Sequence, residues 1–283
     1  MALTAYEHWT RYKSRTAFVL CIAFAALILA LLALVTGYLL SIGFKSLSWQ
    51  FFTDYPTGRT DYVGGMKHAL IGTAMLIAMS SVVGIPVGML AGVYLSEYSS
   101  NSRIASPVRF ISDVLAGVPS IVVGILGYEL LVVPMGHYNG WAGALALAFI
   151  MIPIVARTTE EMLRLVPNSY REASIALGAT KAWTVLKVVV PSATGSLVTG
   201  IMLALARVAG ETAPLLFTAL GSRLLTLDPN QPFPSLTVQI YVYATGPYKA
   251  QKEQAWAGIL VLISLIFVLN MLIRYFARSR HAQ

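Results

Sequence analysis

Two charges stand in the run 204–217, ALARVAGETAPLLF, which is otherwise almost wholly apolar: Arg207 and Glu211. Such a pair could bind an anion and restrain it, or only neutralise itself. A guanidinium presents a planar fork of N–H donors that matches an oxyanion. A carboxylate four residues on shares its helix face and can hold the arginine when no anion is present. If the run lies in a bilayer, each ionised group costs roughly 2.5–3.5 kcal/mol on insertion scales, so the pair needs a reason. A bound anion is one reason; a self-neutralising pair that holds a neighbouring helix is the other. Glu129, towards the end of another apolar run, is a third candidate with a weaker case, because charges near an interface cost little.

What surrounds the pair decides its meaning. The chain has 283 residues, is 57% hydrophobic and only 11% charged, where soluble domains average roughly 25% charged. This is the composition of an integral membrane protein. The formal charge of +8 does not imply nucleic acid, because basic residues of membrane proteins collect on the cytoplasmic side. Cys21 is the single cysteine, so no internal disulfide forms. The histidines, His8, His68, His137 and His281, are scattered without ligand spacing. No metal site, GxxxxGK[ST] phosphate loop or Ser/His/Asp grouping is present, so no catalytic, cofactor-binding or metal-binding residue is assigned. Any ATP and Mg belong to another chain.

An all-α architecture of six transmembrane helices follows from the apolar runs, since a span needs about 20 apolar residues. The runs are 16–44, 68–96, 113–133, 141–156, 192–220 and 255–273. The first follows RYKSR, which resembles the charged start of a signal peptide. It is too long for a signal core and lacks a convincing cleavage site, so it reads as an uncleaved helix. With both termini in the cytoplasm, the inside segments hold most of the Lys and Arg residues. The outside segments keep Lys45, Arg59, Lys67, Arg223, Lys249 and Lys252. The positive-inside rule favours that orientation. The chain then divides into a cytoplasmic segment 1–15, a first helix 16–44, a transmembrane domain 67–273 and a cytoplasmic tail 274–283.

The longest cytoplasmic loop, about 157–191, contains two short helices around a glycine. Ser169 and Glu172 have capping-box spacing. Ala173, Ala176 and Leu177 fall on one face. Gly178 is placed to end the first helix in a left-handed conformation, Thr180 can cap the second, and Pro191 stops or kinks it. Such a small-residue hairpin either docks into a groove on a partner or lies at the interface.

The loop resembles the EAA loop of ABC importer permeases: Glu172-Ala173-Ser174, then Gly178, Val188, Val190 and Pro191. Ser174, Val188 and Val190 depart from the family pattern but keep a similar size. The stretches GIPVGMLAGVYLSEY, AGVPSIVVGILGY, ARVAGETAPLLFTA and FFTDYPTG are similar to permeases of phosphate-specific ABC importers.

The resemblance implies the type I importer permease fold and a multi-pass place in a prokaryotic inner membrane. It implies a homologous second permease chain, a dimer of ATP-binding subunits and an external phosphate-binding protein, with Glu172, Ala173 and Gly178 in the ATPase-coupling helix. On it, Arg207, Glu211 and Glu129 are expected along the translocation path for phosphate. The chain itself is expected to catalyse no covalent step. The same machine with another cargo (sulfate, molybdate or an amino acid) is the first alternative, and an ion-coupled secondary transporter the second. Gly117, Gly124 and Gly127 read as close packing between membrane helices, with Pro119 permitting a bend. Asp113 and Arg109 read as packing or orienting residues at a helix end, Trp141 and Trp256 as interfacial anchors, and Tyr241, Tyr243 and Tyr248, in the last outside loop, as surface residues that either contact a binding protein or anchor in the headgroup region.

Overall fold

The computed structural model describes residues 5–57, 63–99 and 103–279. Arg59 and Arg280, both counted in the charge balance, lie outside them. In lipid a backbone must satisfy its own hydrogen bonds, and among the described residues no β-strand forms. In chain order the helices are α1 (Ala5–Ser46), α2 (Gln50–Thr53), α3 (Lys67–Val93), α4 (Ala105–Gly117), α5 (Ser120–Gly127), α6 (Val133–Met135) and α7 (Gly140–Arg164). Then come α8 (Asn168–Ala176), α9 (Lys181–Thr184), α10 (Val190–Ser192), α11 (Thr194–Ala209), α12 (Ala213–Thr218), α13 (Leu236–Thr245) and α14 (Lys249–Ser279). Three π-helical turns, Tyr94–Tyr98, Tyr128–Val132 and Val185–Val189, extend α3, α5 and α9.

Among the described residues, four helices are long and apolar enough to cross a membrane, and up to six spans result if each of two bent pairs is one span. The first bent pair breaks the third run at the proline expected to permit a bend. Helices Ala105–Gly117 and Ser120–Met135 meet at 102°. Pro119 is the cause: it lacks an N–H, and its ring keeps the preceding residue out of the α region. Val118 and Pro119 both take extended backbone, with ψ of 130° and 132°. The second pair, Lys181–Ser192 and Thr194–Ala209, meets at 74° just after Pro191. The fifth run is also interrupted. α11 stops at Ala209, residues 210–212 form a break, and α12 restarts with Pro214 in its first turn, where a missing N–H goes unnoticed.

Helices α3 and α7 form the centre. Gly84, Gly88 and Gly92 recur every four residues along α3 and face α7. A Cβ on Gly88 would stand 2.7 Å from that of Val155, and one on Gly92 would stand 2.5 Å from that of Thr159. Such small-residue ridges let membrane helices approach closely. Leu76, Leu147, Met151, Val155, Leu205, Val208 and Leu215 fill the core around this contact. The α12–α13 loop closes over it through Phe233, which is fully buried. Of the three glycines expected to pack, Gly124 lies against Pro214 and Gly127 against Thr218, but nothing stands within 4 Å of a Cβ on Gly117.

Helix α1 joins α14 near its own C-terminal end. Leu39 is buried there, Gly43 meets Leu260, and the Tyr38 ring stands edge-on to Trp256 at 5.4 Å. Along the rest of its apolar length it shows side chains outward. α13 was not foreseen: it folds back against α3 and α14, capped by Ser235. It buries Tyr243, which the sequence placed on the surface, while Tyr241 and Tyr248 are exposed as expected.

Candidate translocation and coupling sites

The α11–α12 break decides where Arg207 and Glu211 sit. Helix α11 ends between them, so they do not share a continuous helix face. The amides of Gly210 and Glu211 donate to the carbonyls of Arg207 and Val208 at 3.1 Å each, tightening the last turn. That turn keeps the pair adjacent: Nε of Arg207 stands 3.7 Å from Oε1 of Glu211. The arginine side chain is half exposed and the glutamate 13% exposed. The glutamate backbone is pinned, since Thr237 Oγ1 of α13 donates to its carbonyl at 2.9 Å.

Arg207 faces the knee between α4 and α5. A small cleft of about 10 Å³ there is lined by Leu115, Ala116, Val118, Ser120, Ile150, Ile154 and Arg207. Its one cation stands against apolar residues and the hydroxyl at the start of α5. The cleft has room for about one water, so an oxyanion would need the knee or α11 to move. Glu129 belongs elsewhere. It is exposed on the π-helical turn beyond α5, nine residues past Ser120, or about 13 Å along the helix. The structure brings Arg207 and Glu211 together and leaves Glu129 apart.

The loop forms the expected hairpin with one correction. α8 starts at Asn168 behind Pro167, two residues earlier than a Ser169 cap would set it, and no side chain caps it. The Ser169–Glu172 box therefore does not form: the extended backbone of Pro167, with ψ of 141°, already makes the turn into the helix. Gly178 takes the left-handed conformation, φ 87°. Its amide donates to Ile175 and that of Ala179 to Ser174, at 2.9 and 3.2 Å, the paired bonds of a Schellman end. Thr180 caps α9 by accepting from the Trp183 amide. Within α8 only Ser174 is buried, against Thr184 at 2.8 Å. Glu172, Ala173, Ile175, Ala176, Leu177 and Gly178 are exposed, leaving a largely apolar face open for a partner.

Next to this hairpin is a charged cluster that the sequence did not reveal. Arg171 grips Glu97 with both ends of its fork: Nη2 to Oε1 at 2.6 Å and Nε to Oε2 at 3.0 Å. It also donates to the carbonyls of Leu163 and Val166. The hydrogen bonds to Glu97 hold its guanidinium even more firmly protonated than a free one. Glu160, nearly buried, accepts from Arg109 at 2.6 Å and Arg164 at 2.5 Å. Arg109 reaches on to the Leu95 carbonyl and Ser99 Oγ. Asp113 pairs at 3.3 Å with Arg157, both well exposed; Arg109 and Asp113 lie in the middle turns of α4 rather than at the helix end where they were expected. The missed signal was Glu97 closing an apolar run, as Glu129 does.

A family model described as "Binding-protein-dependent transport system inner membrane component" matches residues 84–281. The chain is 40% identical over 276 residues to the "Phosphate transport system permease protein PstA" of Yersinia pestis, covering 97% of this chain and 94% of that one. It is 42% identical over 242 residues to the protein of the same name from Haemophilus influenzae, covering 86% of each. Among solved structures it resembles the inward-facing MetNI methionine ABC transporter (23% identity, TM-score 0.60, 76% of this chain and 94% of that one). It also resembles a bacterial ABC transporter involved in alginate import (12% identity, TM-score 0.66, 96% and 99%). At these identities the structural likeness speaks for the fold alone.

Proposed function

The chain belongs to the binding-protein-dependent transport system inner membrane component family, and on that premise we propose that phosphate is the solute it carries. It is the multi-pass permease subunit of an ABC importer, a membrane component rather than an enzyme. Such a permease works with an ATPase and a substrate-binding partner. In this reading the substrate-binding partner is an external phosphate-binding protein, and a homologous second permease completes the path. Both termini are cytoplasmic, and the ATPase subunits, which bind ATP and Mg, dock on α8 and α9.

One observation carries the cargo assignment: Arg207, a half-exposed guanidinium held at 3.7 Å by Glu211, faces an apolar knee. Phosphate offers several acceptor oxygens to a planar donor fork. An arginine free of its own carboxylate would hold the anion too well; transport needs binding strong enough to enter and weak enough to leave. Glu211 supplies that competition. The exposed face of α8 with its left-handed Gly178 supports the docking assignment, and the outward apolar length of α1 supports a second permease chain beside it.

The test is uptake by the complete complex in vesicles, driven by internal ATP. Labelled phosphate should enter, while sulfate, molybdate and amino acids should not. Uptake of one of those solutes in preference to phosphate would overturn the cargo. Phosphate uptake persisting with a hydrolysis-dead ATPase would overturn the ATP-driven mechanism.

A further inference from the structure

We propose that Glu97 is the positioning residue through which the α8–α9 hairpin moves the membrane helices, delivering its motion to α3 and α4 rather than to α11; this rests on the ATP-driven importer reading. The observation behind it is how the hairpin is held. α8 buries one residue, Ser174, and against its own hairpin partner. A cleft of about 400 Å³, lined by Ser96, Glu97, Arg164, Arg171 and Lys181 among others, lies between the hairpin and the helix ends. The contact across that cleft is polar. Arg171 of α8 makes its two parallel bonds to Glu97 in the turn Tyr94–Tyr98, and Lys181 of α9 stands 4.8 Å from the Tyr98 ring in the same turn. A bidentate fork fixes angle as well as distance, so it transmits rotation where a point contact would slip.

The turn that receives Arg171 also holds α4. Arg109 donates to the Leu95 carbonyl at 2.9 Å and to Ser99 Oγ at 2.8 Å. α4 then runs without interruption from Ala105 to Gly117, and its far end is the knee that faces Arg207. Contact is continuous from α8 through Glu97 and Arg109 to the candidate anion site. The covalent route from hairpin to α11 instead passes a 74° bend at Ala193, so the two are not one continuous helix. Contiguous hydrogen-bonded and ion-paired networks carry energetic coupling between separated sites.

Glu97→Gln keeps the shape and removes the charge. Arg171 keeps its bonds to the Leu163 and Val166 carbonyls, so the hairpin still folds. The complete complex, purified and placed in vesicles, should retain its ATPase at the wild-type ratio and keep hydrolysing ATP, while phosphate imported per ATP falls about tenfold, within the span of ordinary coupling energies. A second variant tests position rather than stability: cysteines replace Glu97 and Arg171 in a Cys21→Ala background, bridged by a bifunctional thiol reagent. Bridging should restore import per ATP and release of the bridge should remove it. Loss of the ATPase from the Glu97→Gln complex, unchanged import per ATP, or bridging without effect would each overturn the proposal. To separate this from failure of the cargo assignment, Ser120→Cys at the knee is followed by thiol labelling without any solute. ATP should change its labelling rate in the parent and not in Glu97→Gln, and equal responses in both would overturn the proposal whatever the cargo.

Discussion

Nε of Arg207 and Oε1 of Glu211 stand 3.7 Å apart across the end of α11, beyond the reach of a well-formed hydrogen bond yet inside that of an ion pair. A pair built for stability would close that gap. This spacing leaves the fork able to take another acceptor. Arg207→Gln should lower phosphate uptake by at least about tenfold, as expected when a hydrogen bond to a charged group is lost. Glu211→Gln should impair uptake as well, by leaving the arginine to hold the anion. The double variant decides between roles: it stays inactive if Arg207 touches phosphate and recovers if the pair is structural. Uptake is measured at matched expression, and recovery of transport sinks the anion-path assignment.

Gly178 adopts φ 87° with nothing within 4 Å of a Cβ. A substitution there meets no neighbour and acts through backbone strain alone, about 1–3 kcal/mol for a bulky residue. Gly178→Val should reduce the ATPase recovered with the permease while the membrane helices stay folded. Pull-down with tagged ATPase reads this directly, and wild-type recovery together with wild-type uptake removes the docking role.

Orientation is read by labelling. In a Cys21→Ala background, Lys249→Cys should react with a membrane-impermeant thiol reagent on intact cells. Lys181→Cys should react only after permeabilisation. The reverse pattern inverts the assigned topology.

The glycine ridge of α3 predicts a sharp positional contrast. A Cβ on Gly92 would lie 2.5 Å from Thr159 Cβ and 2.6 Å from the Ala156 carbonyl, whereas one on Gly37 meets nothing. Gly92→Ala should destabilise by about 1–3 kcal/mol through overpacking; Gly37→Ala should be neutral or slightly stabilising, since alanine favours helix. Thermal aggregation of the detergent-solubilised complex compares them, and equal midpoints would count against the close α3–α7 contact.

What could be read from sequence follows the range of each interaction. Local backbone rules served well: Pro119 bends the chain, Gly178 turns left-handed and Thr180 caps α9. Each depends on residues a few positions apart. Ser169 and Glu172 had capping-box spacing, but Pro167 moved the helix start and the spacing lost its meaning. Tyr243 looked exposed because α13 follows a long loop, and its burial depends on α3 and α14 closing from distant parts of the chain. Glu97 and Arg171 are 74 residues apart; no helical period relates them, so their pairing appears only once α3 and α8 are placed. Arg207 and Glu211 were legible because an isolated charge in an apolar run is conspicuous by itself. Glu129 has the same signature, and the structure sets it apart on an exposed turn.

Helix α1 has 42 residues, about 63 Å at 1.5 Å per residue, and its seat against α14 lies around Gly43. From there to its first described turn is a lever of about 57 Å. A tilt of about 5° at the seat sweeps the far end through roughly 5 Å, a distance fixed by that rise per residue, without breaking the contact of Gly43 with Leu260. Within this chain, geometry therefore sets where α1 begins to diverge but not its heading; the heading belongs to whatever lies alongside.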